Sequence, residues 1–286
     1  YVVTQATSNP ITTYDIQKGA NASVQRDLSG RVPLVLKAGV DFRHNERDQR
    51  QASYTYPFVG ADGRASTTPV GNDDGAARFF APGYSRREMP FGFPRVQWID
   101  NVKLWDYHQA NPTHITLNPN AKYLSDVNGS KHTRELVSAG YLRGDLQLLD
   151  RRLKLIGGVR AEQTNIDAEG PLTDRTRNYR RDASGRVILV NGSPALIVPA
   201  SNALGVSQLT VIDRGARVEK EYLRWFPSLN ASFNLRDNLI ARAAYYYSIG
   251  RPNFDQYAGG LSLPDDALAP GPTNRISVNN AAIKPW

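Results

Sequence analysis

The chain of 286 residues contains no cysteine, which excludes disulfide frameworks, cysteine zinc sites and thiol nucleophiles. No run of about 18 apolar residues is present, so the sequence predicts neither a transmembrane helix nor a surviving signal peptide. Lysine and arginine total 35 against 27 acidic residues, a net charge of +8 that fits an anionic partner or an arginine-rich loop surface. A β-barrel remains possible, because its strands need only about 9–11 alternating residues.

The first pair of predicted strands lies at about residues 14–48. Its second arm is VPLVLKAGVDFRHNERD, in which apolar residues from Leu34 to Phe42 alternate with polar ones such as Lys37 and Asp41. Alternation with a period of two puts apolar and polar side chains on opposite faces of a strand. This stretch therefore predicts a two-faced hairpin.

The pattern is lost between residues 49 and 134, where turn signals occur at 62–64 and 71–75 and a short helix is predicted near 96–109, ending at Asn111-Pro112. The aromatic residues of the part at 50–110 favour a folded connection. Two interpretations stay open for them, capture of a ligand or packing of the connection's own small core.

Two more hairpins are predicted at about 135–165 and 221–250, and the residues between them are predicted to be irregular apart from a small hairpin at about 182–193. The third hairpin is EYLRWFPSLNASFNLRDNLIARAAYYYSIG, with a turn at Arg236-Asp237-Asn238. A bulge at this turn would shift the strand register by one residue.

Short turns at one end of the hairpins and long connections at the other are typical of an outer-membrane barrel. We therefore predict an all-β fold, a partial, open antiparallel transmembrane β-barrel sheet with long extracellular loops and short periplasmic turns. The alternative is a soluble β-rich carbohydrate-binding module or a glycan-active enzyme, because a sandwich shows the same alternation. In that case Leu34, Val40, Leu229 and Ala243 would form a core under a second protein layer.

Three stretches resemble TonB-dependent receptors of the bacterial outer membrane. They are RWFPSLNASFNLRDNLIARAAYYYSIGRPNF at 224–254, AGYLRGDLQLLDRRLKLIGGVRAEQTN at 139–165 and NNAAIKPW at 279–286, where Ala281 replaces the usual proline. On this resemblance residues 1–286 are expected to be an internal fragment of the barrel domain, without the plug and the C-terminal strands.

The resemblance implies a receptor that imports a bulky nutrient such as a siderophore, cobalamin or a glycan. It also implies partners: outer-membrane lipid, the receptor's own plug domain, TonB through that plug, and a small-molecule or glycan ligand. The turn at 236–238 is then expected in the periplasm, and the end at Gly250-Arg251-Pro252 is expected to open to the outside.

Candidate site residues follow from the two faces of the hairpins. Arg143, Arg160, Arg224 and Arg242 are expected to face the lumen, where they would bind plug carboxylates or an anionic ligand, or simply pair with neighbours such as Asp145 and Glu162. Trp225, Tyr245 and Tyr247 are expected to be aromatic residues at the lipid interface.

Enzymatic and metal chemistry find little support in the sequence. The four histidines have no metal-ligand spacing, and Asn72-Asp73-Asp74-Gly75 lacks the alternating acids of a calcium loop. No phosphate loop, nucleophile elbow or acid–base pair is recognisable. We expect no enzyme activity, catalytic residue, metal or cofactor. No nucleic-acid partner is expected either, because that reading rests on net charge alone.

Overall fold

The structure is a computed structural model and describes residues 1–30, 32–65 and 73–278. In chain order the strands are β1 (Gln5–Ser8), β2 (Ile11–Leu28), β3 (Leu34–Gln51), β4 (Tyr54–Pro57), β5 (Ser130–Leu148), β6 (Leu153–Thr173), β7 (Leu189–Val190), β8 (Ser193–Pro194), β9 (Val211–Arg236), β10 (Leu239–Tyr246), β11 (Leu261–Ser262) and β12 (Ser277–Val278). The helices are α1 (Pro82–Ser85), α2 (Asn101–Ala110), α3 (Pro119–Asn128), α4 (Ala203–Thr210) and α5 (Phe254–Tyr257), and short 3₁₀ turns lie at Ala76–Phe79, Pro90–Gly92 and Arg175–Asn178.

The main sheet is antiparallel, in the order β2-β3-β5-β6-β9-β10, and the short β11 and β12 add to it beside β6. The connections between β2 and β3, between β5 and β6 and between β9 and β10 are short and lie at one end, whereas the long connections 52–129 and 174–210 lie at the other. Within the described residues the sheet is open, since β2 and β10 pair with no further strand. The predicted fold class is therefore confirmed.

The strands extend well beyond the predicted alternation. β6 continues to Thr173 and β9 begins at Val211, although the residues between the second and third hairpins were predicted to be irregular. The prediction was wrong there because the pattern changes face: in β6 the apolar Ile166 and Ala168 lie on the same face as Arg160, whereas the charged Asp167 lies on the same face as Val159. At the short turn of the third hairpin, a bulge follows at Leu239/Ile240, after which Ala241 faces Phe233 and Tyr245 faces Leu229.

The helix predicted near 96–109 corresponds to α2, whose first turn is capped by the Asp100 carboxylate. It accepts hydrogen bonds from the amide N–H groups of Val102 and Lys103 at 3.0 and 3.3 Å. Helix α3 was missed, although Asn118-Pro119 is a typical helix start. The small predicted hairpin is present as β7 and β8, around Asn191 and Gly192, which both have positive φ.

One side of the sheet, called the apolar face here, carries a band of apolar side chains across neighbouring strands. Its members are Leu34, Leu36, Ala38, Val40 and Phe42 on β3, Leu142, Leu146 and Leu148 on β5, Leu153, Leu155, Val159 and Ala161 on β6, and Trp225, Pro227, Leu229, Ala231 and Phe233 on β9. Val40 and Leu229 are 45% and 49% exposed, and Ala243 is exposed as well. In the described part of the chain no second layer covers the band, so the sandwich core required by the soluble alternative is absent there.

Above this band the apolar face becomes charged toward the long connections. His132 Nε2 lies 2.9 Å from a carboxylate oxygen of Glu46, which also accepts from Arg134 Nε at 3.3 Å. Arg217 Nε donates to Asp167 at 3.1 Å on the neighbouring pair of strands. Because β2, β3, β5 and β6 have 18 to 21 residues, each is much longer than the apolar band it contributes to.

The opposite side, called the polar face here, is closely packed at Gly39 on β3. A Cβ atom at this position would lie 2.8 Å from the Tyr141 ring and 2.7 Å from the Ala22 carbonyl oxygen. The absence of a side chain thus lets the Tyr141 ring lie over the strand, an arrangement that offsets the weak strand preference of glycine.

We expect Gly39→Val to displace the Tyr141 ring and to lower the free energy of unfolding by about 1–3 kcal/mol, because overpacking forces side chains and backbone apart. Gly140→Ala is the matched control, since the nearest atom to its Cβ would be 4.0 Å away. Urea unfolding of the protein folded into lipid vesicles measures both. Equal stability of the two variants would contradict the packing argument.

Candidate functional site

All four predicted arginines lie on the polar face, as the strand register requires. Arg143 on β5 faces Gly158 on β6, Glu162 on β6 faces Arg224 on β9, and Arg242 on β10 faces Ser232. They do not form one cluster, because they are distributed along the length of the sheet. Their partners decide what each can do.

Arg143 is held by its own strand. Its Nε and Nη2 atoms donate to the two carboxylate oxygens of Asp145 at 2.7 and 2.6 Å. This bidentate pair is half-exposed, so it contributes little to stability, about 0–1 kcal/mol. The guanidinium remains accessible from the polar face, but its charge is neutralised locally.

Arg160 belongs to the main charged cluster of the polar face. Its Nη2 donates to Asp41 at 2.7 Å and its Nε donates to Glu162 at 2.6 Å. Arg251 donates to the second oxygen of Glu162 at 2.6 Å, and Arg43 lies 3.4 Å from the first. We call these five residues the lumen ion cluster. It joins three guanidinium groups to two carboxylates, and the Glu162 side chain is only 10% exposed.

Sequence reasoning missed Asp41, Arg43 and Arg251 as members of this cluster. The strand register brings Asp41 and Arg43 close to Arg160, because Ala139 on the intervening β5 faces Asp41 on one side and Glu162 on the other. Asp41 and Arg43 could have been identified from the sequence, because both lie on the polar face of a predicted strand. Arg251 had no such signal, since it lies after the end of β10.

Arg251 reaches the cluster because the chain folds back over the polar face after β10. Arg251 therefore lies over the polar face, and the opening of the Gly250-Arg251-Pro252 end to the outside stays a prediction. Tyr257 and Ala258 pack on Ile166 and Ala168 of β6. We call residues 250–262 the return segment.

Two features of the chain make this return possible. Asn253 starts α5 with a reciprocal capping box to Gln256, which satisfies the first amides of this short helix. At Gly170 on β6, a Cβ would lie 2.4 Å from the Ala258 carbonyl oxygen, so only glycine permits the close approach. The Thr133 hydroxyl donates to the Phe254 carbonyl at 3.4 Å.

Arg224 and Arg242 have no carboxylate partner among residues 1–30, 32–65 and 73–278. Arg224 contacts the Tyr222 ring at 5.9 Å. Arg242 lines a shallow groove of about 310 Å³ with Lys154, Asn230 and Ser232. These two guanidinium groups are the predicted site residues whose charge is available to a plug carboxylate or an anionic ligand.

The three predicted interface aromatics lie near one another on the apolar face, where Tyr245 faces Leu229, four residues along β9 from Trp225. The rings of Tyr245 and Tyr247 meet edge to face at 5.7 Å between centroids. The Tyr247 amide donates to the Pro227 carbonyl at 3.2 Å, two residues along β9 from Trp225. All three side chains are more than half exposed. Their role at a lipid interface stays a prediction.

The long connection 52–129 has its own core, which includes the N-terminal residues. Val3, Phe58, Ala76, Phe79 and Ile115 are buried together, with Tyr56, Phe80, Ile99, Leu104 and Tyr107 around them. We call residues 1–8 and 52–129, apart from 66–72, the loop domain. Of the two interpretations left open for the aromatic residues, packing therefore holds for Phe58 and Phe79, whereas Phe91 and Trp105 are exposed.

Two tyrosines outside the long strands, Tyr179 and Tyr257, are partly and fully buried, respectively. Burial raises the pKa of Tyr179 to about 12, and its hydroxyl also donates a hydrogen bond to Asp265. Burial likewise raises the pKa of Tyr257 to about 12. Since the ordinary value is about 10, the stabilisation by each neutral phenol is fully present below pH ~10 and is lost as the pH rises toward the folded value.

We therefore expect an absorbance titration of tyrosinate to show a late component near pH 12 that Tyr179→Phe reduces, because burial and Asp265 delay ionisation. Asp265→Asn removes the neighbouring charge and should shift part of this component toward a lower pH. Complete ionisation of every tyrosine by pH ~11 would contradict the expectation.

The described residues offer no metal site, since no group of three or more histidine or acidic side chains lies close enough together. Asp73 and Asp74 lie at the turn before the first 3₁₀ helix, and Asn72 is outside the described residues. The resemblance quoted for 279–286 is also outside them. None of the helices in the described ranges is long and apolar enough to cross a membrane.

Comparison with known proteins agrees with this architecture. A family model described as "TonB dependent receptor-like, beta-barrel" matches residues 3–286. No curated protein matches the chain. The match covers the six long strands, both long connections and the return segment. The chain therefore belongs to the TonB-dependent receptor family, of which it represents the β-barrel region.

Proposed function

We propose that the chain forms a sector of the barrel wall, with its outer loops, in a bacterial outer-membrane receptor that takes up a bulky nutrient. The receptor would use energy passed from TonB through its plug domain. Membership of the family supports a receptor and transporter rather than an enzyme. The nutrient would be a siderophore, cobalamin or a glycan.

One observation carries the proposal: a continuous apolar band lies on one face of an open antiparallel sheet, and no protein layer covers it in the described residues. Such a band has the height that a bilayer requires of barrel strands, about 9–11 residues each. Outer-membrane lipid is then the partner of the apolar face. The polar face is left to a water-filled or plug-filled lumen.

The polar face would contact the plug and the passing ligand. Arg224 and Arg242 are its candidate contacts, because their guanidinium groups have no carboxylate partner in the described ranges. The lumen ion cluster, by contrast, pairs each of its three guanidinium groups with a carboxylate and contacts the return segment through Arg251. The exposed aromatic residues of the loop domain would make the first contact with the nutrient.

The absence of native cysteine allows a direct test of the orientation. Single cysteines at Ala183, in the connection 174–210, and at Asp237, in the turn 237–238, should differ in intact cells. A membrane-impermeant maleimide should label Ala183→Cys at once, but Asp237→Cys only after the outer membrane is permeabilised. Equal labelling of the two positions in intact cells would refute the proposed topology.

Energised uptake needs its own measurement. A strain that carries the intact receptor should deplete at least one nutrient from the medium faster than a strain without it, and a protonophore should abolish the difference. Arg224→Ala and Arg242→Ala together should slow this depletion, whereas Arg143→Ala should not. Depletion that is unaffected by the protonophore would contradict coupling to TonB.

A further inference from the structure

The central part of the return segment is a compact unit between two glycine joints. We call residues 251–258 the strap. They contain α5, whose start is closed by the capping box, with the Asn253 amide donating to the Gln256 side chain at 2.9 Å. Gly250 precedes the strap and two glycines at 259–260 follow it, the second with a positive φ of 87°. Hinges are residues at the ends of elements that absorb changes in φ and ψ, and glycine does so at the lowest steric cost.

A small apolar patch and an ion pair dock the strap on the polar face. The patch consists of Tyr257 and Ala258 on the strap and of Ile166 and Ala168 on β6. The ion pair joins Arg251 Nη2 to Glu162 at 2.6 Å. No ladder hydrogen bond of β5, β6 or β9 is made by residues 251–258, so the sheet does not depend on the strap for its pairing.

The seam between the strap and the sheet contains buried polar atoms that have no hydrogen-bond partner among the described residues. They are Thr164 Oγ1 on β6, Tyr222 Oη on β9, and Arg251 Nε and Tyr257 Oη on the strap. Thr164 faces Tyr222 in the strand register, and Tyr222 packs against the apolar patch. A buried polar group without a partner is unfavourable, because it has lost its hydrogen bonds with water. The docked position therefore carries a cost at four atoms.

Two carboxylates of the polar face are also buried at this seam. Glu162 is 8% exposed and Glu135 is 5% exposed. Glu135 faces Ile166 in the strand register and accepts from Asn45 Nδ2 at 3.3 Å. Burial, with Tyr222 and Glu135 close by, raises the pKa of Tyr257 to about 12. The docked strap thus helps to cover a part of the polar face that carries carboxylate and hydroxyl groups.

Undocking would exchange one set of interactions for another. Water would reach the four unpartnered atoms, whereas the apolar patch and the ion pair between Arg251 and Glu162 would be lost. The two positions of the strap are therefore closer in free energy than they would be if every polar atom of the seam were bonded. The long strands keep their ladders in both positions.

From these observations we propose that the strap is a lid inside the lumen, which undocks as one body about Gly250 and residues 259–260. Docked, it narrows the passage along the polar face. Undocked, it uncovers Glu135, Glu162 and the hydroxyl groups of Thr164 and Tyr222. The inference rests on the proposed function only in that the polar face lines the lumen, because the movement itself follows from the packing at the seam.

Cysteine protection measures the undocking directly, because the chain has no native cysteine. Ala168→Cys places a thiol under Tyr257 and Ala258, at a residue that is 1% exposed. Ala76→Cys is the control, because this alanine is 2% exposed in the core of the loop domain. The purified intact receptor in detergent, with any cysteine outside residues 1–286 replaced by serine, is treated with iodoacetamide, and the rate of modification is measured.

Two variants of the strap should change this rate in opposite directions. Arg251→Ala removes the ion pair with Glu162, so we expect Ala168→Cys to be modified at least tenfold faster. Tyr257→Phe removes a hydroxyl group that has no partner and keeps the ring on the apolar patch, so modification should be severalfold slower. Neither variant should change the rate at Ala76→Cys.

Three outcomes would overturn the proposal. An unchanged rate at Ala168→Cys in both variants would show that the strap does not control access to the seam. Faster modification in Tyr257→Phe would show that the hydroxyl group stabilises the docked position. Equal acceleration at Ala168→Cys and Ala76→Cys in Arg251→Ala would indicate global unfolding. The labelling of Ala183→Cys and Asp237→Cys in intact cells is a separate measurement, so a failure here is distinguishable from a failure of the proposed topology.

Discussion

Leu229→Arg is expected to destabilise the folded receptor in a bilayer by about 2–4 kcal/mol, because a charge near the middle of the lipid-facing surface is costly. Leu229 lies in the centre of the β9 part of the apolar band, two residues from Pro227 and two from Ala231, and its side chain is half-exposed. Equilibrium urea unfolding of the intact receptor in vesicles measures the change.

Ser228→Arg is the matched control for this substitution. Ser228 is the preceding residue of β9 but faces Gly158 and Tyr246 on the polar face. The arginine there meets water or the plug, so we expect a change below about 1 kcal/mol, as is usual for exposed substitutions. If Ser228→Arg were the more damaging variant, the assignment of the two faces would be reversed.

A second large effect is expected at the lumen ion cluster. Glu162→Gln removes the carboxylate that accepts from Arg160 and Arg251, and leaves Arg160 and Arg43 paired with Asp41 alone. Breaking a buried pair in this way costs about 3–5 kcal/mol. Since Arg43 is nearly half-exposed, the lower end of this range is expected. The return segment should detach first, because Arg251 has lost its partner.

Limited proteolysis distinguishes this local release from global unfolding. In Glu162→Gln we expect faster cleavage within residues 250–262 at denaturant concentrations that leave the strands folded. Asp145→Asn is the control, because it breaks the comparable but more exposed pair with Arg143 and should change stability by about 0–1 kcal/mol. A return segment that is equally protected in both variants would show that the cluster does not hold it.

The fold could be predicted from the sequence where a single face of a strand is apolar. Residues 34–42 and 229–233 alternate between apolar and polar side chains, because the two faces of the sheet contact different surroundings. Nearer the long connections this contrast is reversed in β6, since Ile166 and Ala168 lie on the polar face, where they pack against the return segment, and Asp167 lies on the apolar face. Periodicity therefore could not predict the upper halves of β6 and β9.

Individual side chains of the site could be predicted from the sequence, but their grouping in space could not. Arg160 and Glu162 were recognisable as neighbours on one strand, because residues two apart share a face. Asp41 is 119 residues from Arg160 in the chain and Arg251 is 89 residues from Glu162, so only the strand register and the return segment bring them together. The core of the loop domain combines Val3 with Phe58 and Ile115, and no local pattern predicts such a grouping.

The length of the strands has a consequence for how charge acts on an approaching nutrient. In the proposed topology, strands of 18 to 21 residues exceed the membrane-spanning part by about nine residues, so at the usual tilt the wall would rise roughly 20 Å beyond the bilayer. That height is more than twice the Debye length of about 8 Å at physiological ionic strength. Headgroup charges on the membrane surface would then be screened from the upper strand ends. A nutrient arriving there would experience the field of those strand ends, including pairs such as Arg217 with Asp167, and not that of the lipid.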